Sequence, residues 1–186
     1  MKVLPTDLPE VLLIEPDVYK DQRGLFMELF NSNRYHEVGI KESFVQDNYS
    51  ISCKNTLRGL HYQLTKPQGK LVQVIEGEVF DVAVDIRQGS PHFGKWAGTI
   101  LSEKNNYQYY VPPGFAHGFC VMSETVRFIY KCTQHYDPAD ELGIYWDDEE
   151  LAIDWPVTNP LLSDRDRQLP KLKNVLAANL PIYLES

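Results

Sequence analysis

Three residues of complementary chemistry fall close together in the segment LRGLHYQLTKPQGK: Arg58, His61 and Lys70. An imidazole titrates near neutrality and can move protons, and a guanidinium and an ammonium beside it supply fixed positive charge. A lone histidine on a strand is ordinarily a buried structural residue; its company here raises the functional reading. Period-two alternation over residues 57–63 puts Leu57, Gly59, His61 and Gln63 on one face, and Arg58, Leu60 and Tyr62 on the other. After a Pro67-Gln68-Gly69 turn, Lys70, Val72 and Val74 share one face of the next strand. Glu76-Gly77-Glu78 then forms a tight hairpin turn.

The elements that must position these groups are strands. Residues 11–16, 24–30, 44–52, 56–63, 71–76, 78–86, 95–101, 107–111, 118–122 and 125–133 alternate or are rich in β-branched and aromatic side chains. Turn chemistry separates them at Asp21-Gln22-Arg23-Gly24, Pro67-Gln68-Gly69, Gln88-Gly89-Ser90-Pro91 and Pro112-Pro113-Gly114. Short, regularly spaced strands point to an all-β sandwich or small barrel rather than a βαβ sheet. A short helix is expected over 31–38, capped by Asn31 or Ser32, and another after Ser163.

The 186 residues, 43% hydrophobic and 24% charged, suit a single globular domain spanning 1–186. A net charge of -8 argues against a nucleic-acid surface, while a few basic groups in a cleft still allow an anionic small ligand. No apolar run reaches membrane-spanning length, and the N-terminal MKVLPTDLPEVLLIEPD lacks the pattern of a signal peptide, so a cytoplasmic protein is expected. Cys53, Cys120 and Cys132 are odd in number and lack C-x-x-C spacing, which suggests reduced core thiols.

Pro112-Pro113-Gly114-Phe115-Ala116-His117-Gly118 resembles the second motif of the cupins, double-stranded β-helix (jelly-roll) proteins in which this histidine points into the barrel. Metal-binding cupins supply an H-x-H pair in their first motif. Here His61 takes the first of those positions but Gln63 the second, and a neutral amide is a poor ligand, so the metal set is incomplete. His36, His92 and His135 carry no ligand spacing and are expected at the surface or in turns.

Several blocks in order resemble the dTDP-4-dehydrorhamnose 3,5-epimerase family, metal-free cupins of deoxysugar nucleotide biosynthesis. They are residues 21–28 (DQRGLFME), 46–50 (QDNYS), 57–63, 69–74 (GKLVQV), 114–119 (GFAHGF), 130–133 (YKCT) and 162–166 (LSDRD). The resemblance implies a cofactor-free isomerase acting on a dTDP-linked 4-keto sugar. Hydrogens on C3 and C5 both lie α to the carbonyl, so either can be removed to an enolate and returned from the opposite face.

By resemblance, His61 is the base, Asp166 its orienting partner, Lys70 the cation that meets the oxyanion and Tyr130 the proton donor. Substrate binding falls to Arg23, Phe26, Glu28, Gln46, Asp47, Asn48, Arg58, Lys70, His117, Tyr136, Glu141 and Arg165. The arginines suit a diphosphate, and Tyr136 and Phe26 a thymine ring. Arg165 stands where the family commonly has lysine. A homodimer in which Arg23 and Phe26 complete the neighbouring pocket is also implied. From the residues alone, Tyr130 reads as a core aromatic, Arg23 and Glu141 as solvated charges, and Asp166 as a helix N-terminal charge. Competing readings are an epimerase of only C3 or only C5, a metal-dependent cupin using His61 and His117, and a sugar-nucleotide binding module without chemistry.

Overall fold

The computed structural model describes residues 1–184. The strands are β1 (Lys2–Leu4), β2 (Leu12–Glu15), β3 (Val18–Asp21), β4 (Gly24–Met27), β5 (Gln46–Cys53), β6 (Leu57–Gln63), β7 (Lys70–Glu76), β8 (Glu78–Asp85), β9 (Trp96–Ser102), β10 (Gln108–Val111), β11 (Phe115–Val121), β12 (Thr125–Cys132) and β13 (Glu141–Gly143). Six form one sheet in the order β1-β2-β10-β7-β12-β5, and five form a second in the order β13-β6-β11-β8-β9. Neighbouring strands run antiparallel, which gives the expected double-stranded β-helix.

Alternation explains how the sheets close on one another. Val72, Val74, Tyr109 and Phe128 from the six-stranded sheet meet Val79, Ala83, Ala97 and Phe119 from the five-stranded sheet in one buried cluster. Fully burying each large apolar side chain there contributes about 1.5–3 kcal/mol. Along β5 the inward positions are polar: Gln46, Asn48, Ser50 and Ser52 share that face, while Asp47, Tyr49 and Ile51 face out. A strand with a polar inner face lines a cavity instead of filling a core.

Strand β6 departs from the simple alternation. His61 pairs with His117 and Arg58 with Phe119, so three steps on β6 match two on β11. The extra residue is a β-bulge, and it turns Arg58 and His61 toward the same side. The two-face reading of residues 57–63 therefore fails at Arg58. Leu60 and Tyr62 still face away, into a cluster with Val82, Val84 and Ala116 on the outer side of the five-stranded sheet.

The C-terminal segment covers that outer side with Leu151, Leu172 and Leu180. Parallel bridges Thr56–Leu161 and Gln88–Ile182 fasten it at two points. The helix expected after Ser163 is a single 3-10 turn, Asp166–Gln168. Ser163 Oγ accepts the Asp166 N–H at 3.1 Å as a cap should, but Pro170 bars further helical turns. Helix α1 (Ser32–Glu37) forms as expected, with Asn31 accepting from the amides of Asn33 and Arg34. Of the expected strand 24–30, residues Gly24–Met27 pair with β3 in a separate two-stranded hairpin. Strands β1, β3 and β13, three or four residues each, are too short to show periodicity.

The bulge depends on Gly59, whose φ is +126° and whose missing Cβ would stand 2.5 Å from Gly118 Cα. Gly59→Ala is expected to lose about 2–5 kcal/mol of stability, from backbone strain plus overpacking. Urea unfolding followed by tryptophan fluorescence measures it.

Candidate active site

Between the sheets opens a cavity of about 780 Å³, within the usual size of small-molecule sites. Its two walls carry different chemistry. From the five-stranded sheet come Arg58, His61 and His117; from the six-stranded sheet come Gln46, Asn48, Lys70 and Tyr130. Phe119 and Phe128 stack at 4.4 Å between ring centroids and form an apolar floor. Tyr136, Glu141 and Arg165 stand toward the rim, and Asp166 is buried behind His61.

His61 Nε2 and Asp166 Oδ1 are 2.7 Å apart. Burial works against the Asp166 carboxylate, yet its bonds with His61, Ser163 and the Gly59 amide hold its pKa below the usual 3.8. An ionised Asp166 must accept from His61, which assigns the Nε2 proton and leaves Nδ1 as the nitrogen free to act as a base. Nδ1 lies 3.9 Å from Glu141 Oε1.

Lys70 sits at the start of β7, pinned where Gly69 N–H donates to Thr133 Oγ1 at 2.7 Å and Gly69 O accepts Thr133 N–H at 3.0 Å. Burial pushes its pKa below the ordinary lysine value, and Cys132, Glu141 and Asp81 pull it partly back. Among the described residues its ammonium makes no hydrogen bond or ion pair, so its charge is held ready for a ligand. Burial likewise raises the Tyr130 pKa. That favours a protonated hydroxyl, the form able to donate.

The remaining polar groups are held in place by their own partners. Arg58 Nε and Nη2 donate to Ser52 Oγ at 3.2 and 3.1 Å. His117 Nε2 lies 2.8 Å from Oδ1 of the fully buried Asp81. Gln46 Nε2 donates to Asn48 Oδ1 at 3.0 Å, and Gln46 Oε1 accepts the Tyr136 amide at 2.8 Å. Glu141 Oε2 accepts from the Tyr136 hydroxyl at 3.0 Å and from Arg165. Arg58, Lys70 and Arg165 thus gather positive charge in a chain of net charge -8.

Eleven of the fifteen expected site residues line this cavity: His61, Lys70, Tyr130, Asp166, Gln46, Asn48, Arg58, His117, Tyr136, Glu141 and Arg165. Four do not. Asp47 alternates to the outer face of β5 and pairs with Lys131 at 2.9 Å, so it is not a residue of this cavity. Arg23 and Phe26 lie on the exposed β3–β4 hairpin, where Arg23 pairs with Asp21 at 2.6 Å. Glu28 follows the hairpin and pairs with Arg34 at 3.3 Å.

Sequence reasoning missed Ser52, Asp81 and Ser50. A lone acid in the apolar run VFDVAV was the available signal for Asp81, and the even-numbered polar row of β5 was the signal for the serines. Ser50 Oγ is buried without a hydrogen-bond partner among the described residues. No group of three or more His, Cys, Asp or Glu side chains placed to hold a metal ion occurs among the described residues.

A jelly roll with an imidazole–carboxylate pair on one wall and, on the other, a lysine and a tyrosine without side-chain partners among the described residues defines a cupin whose cavity carries groups able to move protons. Residues 5–174 match the family model described as dTDP-4-dehydrorhamnose 3,5-epimerase. The chain is 56% identical over 168 residues to the dTDP-4-dehydrorhamnose 3,5-epimerase of Shigella flexneri, covering 89% of this chain and 93% of that one. A solved structure of the Legionella pneumophila dTDP-6-deoxy-D-glucose-3,5-epimerase, in complex with dTDP-4-keto-L-rhamnose, superposes with a TM-score of 0.97 at 50% identity over 99% of both chains. A dTDP-4-dehydrorhamnose 3-epimerase of Streptomyces niveus is 39% identical over 98% of this chain and 90% of its own. The chain belongs to the dTDP-4-dehydrorhamnose 3,5-epimerase family, and it is an isomerase.

Asp166→Asn keeps the shape but lets the side-chain amide donate toward Nε2, which selects the wrong tautomer. Turnover is expected to fall roughly 10²–10⁴-fold, with a smaller change in KM, as steady-state kinetics would report. Because the folded pKa lies below the unfolded value, this carboxylate's stabilisation is complete above pH 3.8 and is lost as pH falls through the folded value. The substitution should remove that acid-side decline, measured by urea unfolding at a series of acid pH values.

Proposed function

We propose that the chain inverts both C3 and C5 of dTDP-4-dehydro-6-deoxy-D-glucose to give dTDP-4-dehydro-L-rhamnose, without a metal or redox cofactor. The observation that carries this reading is the placement of His61 and Tyr130 on opposite walls of one cavity, with Lys70 beside them. His61 Nδ1 takes the hydrogen α to the C4 carbonyl. The Lys70 ammonium meets the charge that develops on the C4 oxygen, where a fixed cation in a water-poor site acts most strongly. Tyr130 returns a proton from the other side, which inverts the carbon.

Arg58 and Arg165 hold the diphosphate with forked, charge-assisted hydrogen bonds. Tyr136, exposed at the rim, stacks on the thymine. Gln46, Asn48, His117 and Glu141 complete the binding surface. Each of these roles rests on position in the cavity together with the family's pattern.

The working unit is a homodimer. Phe26, Leu25 and Tyr19 are exposed on the hairpin, and Tyr49 and Ile51 on the outer face of the six-stranded sheet. Apolar groups so displayed favour burial against a second copy. Arg23 and Phe26 then reach the neighbouring cavity. One domain accounts for residues 1–186. Of the three free thiols, Cys120 and Cys132 are buried in the core, whereas Cys53, at the outward-facing end of β5, is exposed and not a core thiol; free thiols support a reducing, cytoplasmic setting.

Incubation with the 4-keto sugar nucleotide in deuterated water, followed by proton NMR, tests the reaction. Deuterium is expected at both C3 and C5, and His61→Ala is expected to abolish both exchanges. Exchange confined to one carbon in the unaltered enzyme would establish a single-centre epimerase instead. Loss of exchange on exhaustive chelation, restored by a metal, would establish a metal-dependent cupin.

Shared sites have a separate test. Arg23→Ala and His61→Ala homodimers should each be nearly inactive. Subunit exchange between them should restore about a quarter of wild-type activity, since half the dimers are mixed and each has one intact site. No recovery, with mixed dimers verified by native mass spectrometry, would place Arg23 outside the partner's site.

A further inference from the structure

The proposed double inversion carries a requirement that a single inversion does not. After one carbon is inverted, His61 holds the abstracted proton and Tyr130 has given one up. The same intermediate can be inverted at its second carbon only after both groups are reset. Product released before that point is inverted at one centre. The rate at which His61 sheds its proton therefore divides double from single epimerisation.

Both nitrogens of His61 face carboxylates, and the two contacts differ. Asp166 is almost fully buried and holds Nε2 at 2.7 Å. Glu141 Oε1 stands 3.9 Å from Nδ1, the nitrogen that receives the substrate proton, and among the described residues Oε1 has no hydrogen-bond partner. The other oxygen, Oε2, is held by Arg165 and by the hydroxyl of Tyr136, which is 48% exposed. Arg165 also donates to the Glu141 carbonyl at 2.7 Å. Glu141 is thus clamped at one oxygen and aimed at the base with the other; its own side chain is 15% exposed and reaches water beside the more exposed Tyr136 and Arg165.

We propose that Glu141 is the proton exit from His61 and so determines whether one centre or two are inverted in each binding event. This rests on the reading of His61 as base in a 3,5-epimerase. A small rotation brings Oε1 into hydrogen-bond range of the new Nδ1–H. Imidazolium passes its proton to the carboxylate, and the resulting carboxylic acid passes it to water at the rim. His61 ends neutral and Glu141 ionised. Tyr130 regains a proton from water, so proton number balances over the cycle. Asp166 cannot serve this purpose: it lies on the far side of the ring, buried, and holds the other nitrogen.

The test compares the wild type with Glu141→Gln in deuterated water, quenching during the first turnover and counting product inverted at one centre or at both. An amide cannot relay the proton. The ratio of doubly to singly inverted product should fall about ten-fold, whatever the change in KM, and added formate should restore it by acting as a diffusible carboxylate. The wild-type ratio should not respond to formate.

An unchanged ratio would overturn the proposal, as would a fallen ratio that formate does not restore, or equal slowing of both exchanges. A wild type that exchanges at only one carbon would overturn the double-inversion reading first and this one with it. The two failures are therefore distinguishable.

Discussion

The contact between His61 and Asp166 joins positions 105 residues apart, and much of the architecture serves to make it. One partner stands on a central part of the five-stranded sheet; the other arrives on a C-terminal segment with little regular structure of its own. That segment is held by apolar burial against the outer side of the same sheet and by single bridges near its two ends. The packing of Leu60, Tyr62 and Ile144 against Leu151, Leu172 and Leu180 therefore has a consequence in the cavity, since it fixes where the carboxylate can reach. A carboxylate in such a place is desolvated, and it remains ionised because three groups hydrogen-bond to it.

Burial is used with opposite results on the facing wall. Desolvation moves Lys70 and Tyr130 toward their neutral forms, and among the described residues neither has a side-chain hydrogen-bond partner. The cost of leaving them so is offset by the core around them. Their strands β7 and β12 pair with each other, with Tyr130 opposite Val72 and Cys132 opposite Lys70. Spacing between the two groups is set by backbone hydrogen bonds rather than by flexible side chains. Groups preorganised in this way need little rearrangement when charge develops on a ligand.

Much of this was legible in the sequence, and what was not has physical causes. A strand such as β5, with polar residues at every even position and Tyr49 and Ile51 among the odd ones, declares both its class and its facing. The strand containing His61 misled because alternation assumes one residue per step, whereas a bulge admits one extra and reverses the facing of Arg58. Gly59 was a hint, being a glycine within a strand. The pairing of Asp166 with His61 leaves no local trace, and neither does that of Asp81 with His117, because both join distant segments. Family likeness supplied the first pair and not the second. Asp47 joins Gln46 and Asn48 only by the family pattern, and alternation along β5 points it the other way.

Mounting the proposed base and acid on two rigid, facing sheets has a consequence for the motion the reaction demands. There is one imidazole and one phenol, while the two carbons flank the carbonyl on either side of a single ring. The scaffold cannot carry its groups from one carbon to the other, since both belong to strands paired on each side. In the proposed reaction the sugar must do the travelling: with its diphosphate tethered by the arginines as proposed, it swings like a door on a hinge and shows each carbon in turn to stationary walls.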